Sequence, residues 1–252
     1  MKMQSNTIFI TGGTSGIGQG LAEAFHRIGN QVIIGGRRRE RLEAICAANP
    51  GMRHVVIDVR DPGSIRRVAD RLTGEFPNLD CVFNNAGVQR GNAFQAGEIR
   101  DEQALLEEIE TNLLGVIRVA SAFLPHLRTR KSATIVNTSS GLAFIPLARF
   151  PVYCAIKAAV HSFTLSLRHQ LKDTAVKVVE LIPPYVETEL GGVSKNAGPA
   201  IGMRPMPLDE FIAETMRELA GDSDEVAVGQ AKNLVAAGCL ETSKKVFAGM
   251  NH

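Results

Sequence analysis

Short apolar runs alternate along this chain with amphipathic stretches of helical length, and glycine or polar turn residues mark most junctions. Thr7-Ile8-Phe9-Ile10 is the first run. Beyond a glycine-rich turn, residues 17–28 carry apolar side chains three and four apart, the spacing of one helix face. Gln31-Val32-Ile33-Ile34 reads as a second strand and residues 39–48 as a charged helix. His54 to Ile57 is a third strand. Asp61-Pro62-Gly63-Ser64 then opens a helix, because proline in a first turn forfeits no helical hydrogen bond. Leu79 to Phe83 and Ala133 to Asn137 are further strands, with one long helix predicted between them over 102–128. A helix over 152–171 leads to a strand over 176–181, and Glu225 to Val228 is a candidate last strand. Strands that are apolar throughout and alternate with helices are buried on both faces. The pattern therefore predicts an α/β fold: a doubly wound parallel sheet with helices on both faces, in a single domain spanning 1–252.

One segment breaks the alternation. Residues 183–207 hold five prolines (183, 184, 199, 205 and 207) and several glycines, which predicts an irregular loop. A loop of that length in a compact domain is usually functional or disordered, and we expect it to close over a substrate.

Composition narrows the function. With 44% hydrophobic residues over 252 positions the chain can bury a sizeable core, and 28 basic against 26 acidic residues leave a net charge of only +2. The basic cluster Arg37 to Arg41 is too short and isolated to form a nucleic-acid surface. Cys46, Cys81, Cys154 and Cys239 form no CxxC pair, and no histidine has ligand spacing to them, so no metal site is expected. Residues 1–6 are polar, and no apolar run reaches membrane-spanning length, so the expectation is a cytoplasmic protein without membrane contact.

Thr11-Gly12-Gly13-Thr14-Ser15-Gly16-Ile17-Gly18 falls where the first strand passes into the first helix. Glycine there permits a tight turn and lets backbone approach a pyrophosphate, which the unpaired N–H groups of the helix start can bind. Such a loop can also serve the turn alone, and its position after strand one is what favours a dinucleotide. The end of the second strand bears on which dinucleotide. An acid there would bind the adenosine ribose and repel a 2′-phosphate, whereas an arginine would accept that phosphate. Here Gly35-Gly36 is followed by Arg37 and Arg38, with no acid until Glu40, which favours NADP(H).

Tyr153 and Lys157 stand four apart near the start of a predicted helix, on one face of it. A free tyrosine, with a pKa of about 10, exchanges protons poorly near neutrality. A neighbouring ammonium stabilises the phenolate and brings that pKa closer to the working range. Together these motifs resemble the short-chain dehydrogenase/reductase family. Thr11 to Gly18 matches its TGxxxGxG, Asn84-Asn85-Ala86-Gly87 its NNAG, Ser139-Ser140 its serine position, and Tyr153 to Lys157 its YxxxK. Asn112 in the long helix and Pro183 to Thr188 after the sixth strand match as well, so the likeness runs in order over most of the chain.

The resemblance implies a Rossmann sheet of about seven strands in the order 3-2-1-4-5-6-7, and hydride transfer between nicotinamide and a carbonyl or alcohol. It makes Tyr153 the acid/base, Lys157 the group that lowers its pKa and binds the nicotinamide ribose, Ser140 the substrate-oxygen anchor, and Asn112 the holder of a water linking Lys157 to solvent. It gives Gly12, Thr14, Ser15, Gly16, Ile17 and Gly18 to the cofactor phosphates, with Arg37 and Arg38 on the 2′-phosphate. Asp58 and Val59 fall at adenine positions, Asn84, Ala86 and Gly87 line the cofactor, and Pro183, Val186 and Thr188 meet its nicotinamide end. It also implies a homodimer or homotetramer built on the helices of Asn112 and Tyr153. Where the family usually has Pro-Gly, this chain has Pro183-Pro184. That pair, with Val88-Gln89-Arg90 and the run from His161 to His169, is similar to a bacterial subgroup named after teichoic-acid D-alanylation genes. Val88, Leu142, Phe144, Ile145, Phe150, Tyr185, Leu190, Met203 and Met206 are candidates for an apolar cleft wall, suited to a ketone or aldehyde with an apolar body. The alternatives are a non-catalytic NADP(H) sensor on the same fold and an epimerase or dehydratase, although the chain lacks the extra substrate domain usual in the latter.

Overall fold

The computed structural model describes residues 1–90, 101–190 and 204–238. Seven strands form one parallel sheet: β1 (Thr7–Thr11), β2 (Gln31–Gly36), β3 (Arg53–Val56), β4 (Leu79–Asn84), β5 (Ala133–Thr138), β6 (Val176–Ile182) and β7 (Glu225–Ala227), in the order β3-β2-β1-β4-β5-β6-β7. Helices α1 (Gly16–Arg27), α2 (Arg39–Ala48), α3 (Pro62–Glu75), α4 (Glu102–Ile109), α5 (Gly115–Leu127), α6 (Pro151–Gln170), α7 (Leu208–Leu219) and α8 (Ala231–Gly238) connect and cover the strands. This is the doubly wound Rossmann architecture.

Alternation along the strands divides the core between two faces. Ile8, Ile10, Val32 and Ile34 pack with Leu21 and Phe25 of α1 and Phe211 of α7. Phe9, Ile33, Val82 and Ile135 point the other way, against Val68 and Leu72 of α3, Phe123 of α5 and Leu167 of α6. Because side chains of a strand alternate between faces, a strand covered on both must be apolar at every position, and that is why the runs are continuous.

Most strands extend past their apolar runs at the carboxyl end. β1 continues to Thr11, β2 to Gly36, β4 to Asn84 and β5 to Thr138, with pairings such as Thr11 to Gly35 and Asn84 to Asn137. The ladder needs only backbone, so it persists where the side chains turn polar. β3 instead begins one residue earlier than its apolar run, and buried Ile57 follows it. The long helix predicted over 102–128 is divided by a π-helical turn, Glu110–Leu114, between α4 and α5. In the segment after β6, Val186 bridges to Met206, with Glu187 N donating to Met206 O at 2.9 Å and Met206 N to Tyr185 O at 2.8 Å. Residues 191–203, Met203 among them, lie outside the described residues. Among the described residues no helix is long and apolar enough to cross a membrane.

Candidate active site

The carboxyl ends of β1, β4 and β5 converge with the start of α1 and one face of α6. In the glycine loop, Gly12 and Gly16 take positive φ, +70° and +53°, which side-chain-bearing residues rarely adopt. A Cβ on Gly12 would lie 2.7 Å from Ala86 Cα, and one on Gly18 would lie 2.3 Å from Gly12 O. The glycines therefore serve both the turn and the close approach of helix to strand. No side chain caps the start of α1, so its first N–H groups face outward for an anion, as a dinucleotide pyrophosphate requires. Thr11 ties this loop to β4: its hydroxyl donates to Phe83 O at 3.1 Å and accepts from Asn85 N at 3.0 Å and Ala86 N at 3.1 Å. Thr188, after β6, reaches over the loop, with its Cβ 3.1 Å from where a Gly16 Cβ would stand.

The two arginines after β2 separate. Arg38 donates through Nη2 to Thr14 Oγ1 at 2.7 Å and Ser15 Oγ at 2.9 Å, which sets its guanidinium on the glycine loop. Arg37 turns away to Glu107 at 3.2 Å. Glu189 forms ion pairs with Arg38 at 3.3 Å and Arg41 at 2.8 Å. At the expected adenine position, Arg60 holds Asp58 at 2.7 Å, and its hydrogen bonds keep the Asp58 carboxyl below the usual carboxylate range. Val59 is buried beneath Gly115.

Asn84 donates to Asn137 Oδ1 at 2.8 Å, and Asn137 donates in turn to Thr164 on α6 at 3.0 Å. Asn112 sits in the π turn, fully buried, where its Oδ1 accepts from Val88 N at 2.8 Å and its Nδ2 donates to Val88 O at 2.6 Å. Its amide thus grips the backbone just past Gly87.

Tyr153 and Lys157 lie one above the other on α6, with Lys157 Nζ 5.6 Å from the Tyr153 ring centre. The Lys157 ammonium donates to Thr138 O at 2.8 Å. Ser140 hydrogen-bonds the Tyr153 phenol and accepts from Leu142 N at 3.2 Å, while Gly141 N donates to Pro183 O at 3.0 Å and pins this turn to the end of β6. All three side chains are nearly excluded from water. Burial pushes the Tyr153 phenol well above its ordinary pKa, against the pull of Ser140. It also brings Lys157 down to about 8, with the carboxylates of Glu180 and Glu108 acting upward.

The structure adds charged neighbours that the motifs did not single out. Glu180 on β6 is fully buried, accepts from the Ser139 hydroxyl, and lies 2.8 Å from His161 Nδ1. Glu108, one turn before Asn112, is equally buried, and its Oε1 accepts from Arg90 N at 3.2 Å. Glu180 and its partner His161 left a signal in the sequence, whereas Glu108, in a charged helix start, left none. Glu180 interrupts the otherwise apolar end of β6, Val178-Val179-Glu180-Leu181-Ile182, and His161 follows Lys157 by one helical turn.

Residues 6–197 match the family model for short chain dehydrogenase. The chain is 39% identical over 236 residues to an uncharacterized oxidoreductase, DltE, of Bacillus subtilis (strain 168), covering 93% of this chain and 92% of that one. It is 34% identical to a serine 3-dehydrogenase of Rhizobium radiobacter, over 89% of this chain and 91% of the relative. Its fold superposes on a short chain dehydrogenase from Burkholderia cenocepacia in complex with NADP, with a TM-score of 0.81 and 28% identity over 100% of this chain and 99% of that one. With the family match spanning most of the chain and a close relative aligned nearly end to end, the chain belongs to the short-chain dehydrogenase family of oxidoreductases.

Proposed function

We propose that this chain is an NADP(H)-dependent oxidoreductase that moves a hydride between nicotinamide and a carbonyl/alcohol pair, working chiefly as a ketone or aldehyde reductase. The observation that carries this reading is the buried contact set of Ser140, Tyr153 and Lys157 at the carboxyl ends of the strands, next to a glycine loop open to an anion. When bound, the nicotinamide supplies or accepts the hydride. In reduction, Ser140 holds the carbonyl oxygen beside Tyr153, and the phenol Oη gives that oxygen its proton. In oxidation the Tyr153 Oη, as phenolate, takes the proton from the alcohol. Burial first, then the neighbouring charges of Cys154 and Glu108, oppose ionisation of Tyr153, and the Ser140 hydrogen bond favours it. The Lys157 cation on the same helix face is the further group that would favour the phenolate. Asn112 keeps the 84–88 segment in place beside the cofactor through Val88.

Arg38, resting on Thr14 and Ser15, is the group for the 2′-phosphate, while Arg37 is held by Glu107. Leu142 packs on Phe150, Tyr153 and Cys154, which gives the substrate side an apolar wall. A panel of ketones and aldehydes with NADPH, and L-serine with NADP+ on account of the serine 3-dehydrogenase likeness, tests the activity. Binding of NADPH without turnover of any compound would instead favour a cofactor-binding sensor.

A further inference from the structure

Three groups behind the candidate active site, buried Glu180 and Ser139 and partly exposed His161, form a polar cluster that the proton-transfer scheme does not use. Glu180 projects from β6 with no exposure to solvent. One of its oxygens accepts from the hydroxyl of Ser139, and the other lies 2.8 Å from Nδ1 of His161. The His161 ring is in turn seated on Phe144, with ring centres 4.6 Å apart. An ionised carboxylate in an apolar interior is costly unless it is paired and hydrogen-bonded, so a glutamate kept there is held for its charge or for its contacts.

Each partner of Glu180 adjoins a member of the active set. Ser139 is the chain neighbour of Ser140. His161 is one helical turn beyond Lys157, as Lys157 is beyond Tyr153, so the three share a face of α6. Lys157 donates to Thr138 O, and Ser139, the next residue, donates to Glu180, so the ammonium and the carboxylate are held at the two ends of one short stretch of backbone. A serine–glutamate–histidine order of this kind is no nucleophilic triad, because the serine hydroxyl is spent on the carboxylate rather than aimed at the imidazole.

We propose that Glu180 is a positioning residue for the active set: a buried carboxylate, fixed by Ser139 and His161, that supplies the negative charge balancing Lys157 and braces the Ser140 turn against α6. The proposal rests on the reading of Lys157 as the cation beside Tyr153, and it adds the group that keeps that cation charged. The direction of the electrostatics agrees: of the charges acting on Lys157, Glu180 is the largest upward influence and Glu108 on α4 the second, both opposing burial. His161 is the titratable group that contacts Glu180 directly; nearby, Asp224, just before β7, pairs with Arg168 and Lys177, and Glu225 at the start of β7 pairs with Arg168.

The test reads Lys157 itself and needs neither substrate nor cofactor. Lysine side-chain carbons are isotope-labelled, the Lys157 signal is assigned by its loss in Lys157→Met, and its titration is followed by NMR in the wild type, Glu180→Gln and Glu180→Asp. Glutamine keeps the shape and can still hydrogen-bond Ser139 and His161, so it removes little but the charge. The Lys157 midpoint is expected to fall by roughly one unit in Glu180→Gln, the size of shift that a nearby opposite charge produces, and to return toward wild type in Glu180→Asp. If Glu180→Gln does not fold, Ser139→Ala with Glu180→Leu and His161→Phe carries the same test, since exchanging all three polar partners for apolar groups leaves none unpaired. A folded variant whose Lys157 midpoint stays at the wild-type value overturns the proposal. A failure of Tyr153→Phe to reduce turnover would overturn the assignment of the active set instead, and the two results are read separately.

Discussion

Tyr153, at 6% exposure, and Lys157, at 5%, are removed from the water that would stabilise their charged forms. For a lysine, burial favours the neutral form, and the Lys157 midpoint near 8 sets the sign of the pH response. Below that pH the ammonium is present beside the phenol, and above it the cation is lost. The rate of carbonyl reduction at saturating NADPH is therefore expected to hold from neutrality to about 8 and to fall beyond it, as a pH profile of kcat would record. Tyr153→Phe keeps the ring packed with Phe150 and Leu142 and removes the hydroxyl that exchanges the proton with the substrate oxygen. We expect an unchanged melting temperature, unchanged NADPH affinity by fluorescence titration, and a loss of kcat of roughly a hundredfold or more. Arg38 gives a third test at this scale. Arg38→Ala should weaken NADPH binding at least about tenfold while leaving NADH nearly unaffected, because only the former presents a 2′-phosphate. Equal losses for both cofactors would remove Arg38 from that role. Gly36→Asp would be a poor way to reverse the preference, since a Cβ there would stand 2.7 Å from Thr14 Cγ2 and displace the loop itself.

At the scale of elements, the strand and helix order was legible because the inner strands are buried on both faces and each helix on one, and apolar periodicity reports both. Helix α2 ran over 39–48 as expected, and Asp61 caps α3 by accepting from Gly63 N at 2.7 Å. The π turn at Glu110–Leu114 was not legible. Its residues read as ordinary helix, and the extra residue is accommodated by tertiary demands, here the fit of Asn112 to the backbone of Val88. Asn112→Ala leaves the part-buried N–H and C=O of Val88 without that partner and is expected to lower the unfolding free energy by roughly 1 to 2 kcal/mol. A shift of the urea midpoint with unchanged slope would record it, and an unshifted midpoint would deny the bracing role. The ends of the strands were misjudged for a related reason. Thr11, Asn84 and Thr138 belong to the ladder but face the site, so hydrophobicity stops before pairing does.

At the scale of the whole molecule, much of the apolar surface on the helices of Asn112 and Tyr153 is taken up by the chain's own packing. Val116, Val119, Phe123, Leu127 and Leu167 are buried in the chain's own core. Leu113, Ala159 and Phe163 stay only partly covered, Ala155 is exposed, and Leu106 is 44% exposed. These remaining positions on α4 to α6 are where we expect an isologous contact with a second copy. Light scattering at micromolar concentration should give at least twice the chain mass, and Ala155→Arg with Leu106→Arg should reduce it. A monomer at that concentration would contradict the expectation.

The sequence by itself determined the class of fold, the succession of elements, the glycine loop and the Tyr153–Lys157 pair, because these depend on local periodicity, backbone freedom and short spacing. Only the tertiary structure decided which of Arg37 and Arg38 rests on the glycine loop, that Asn112 grips Val88, and that Glu180, Glu108 and His161 gather behind the active set. Those facts join residues far apart in the chain. Electrostatics in a buried site depends on distance and on the exclusion of water, and neither quantity exists until the sheet has brought its strand ends together.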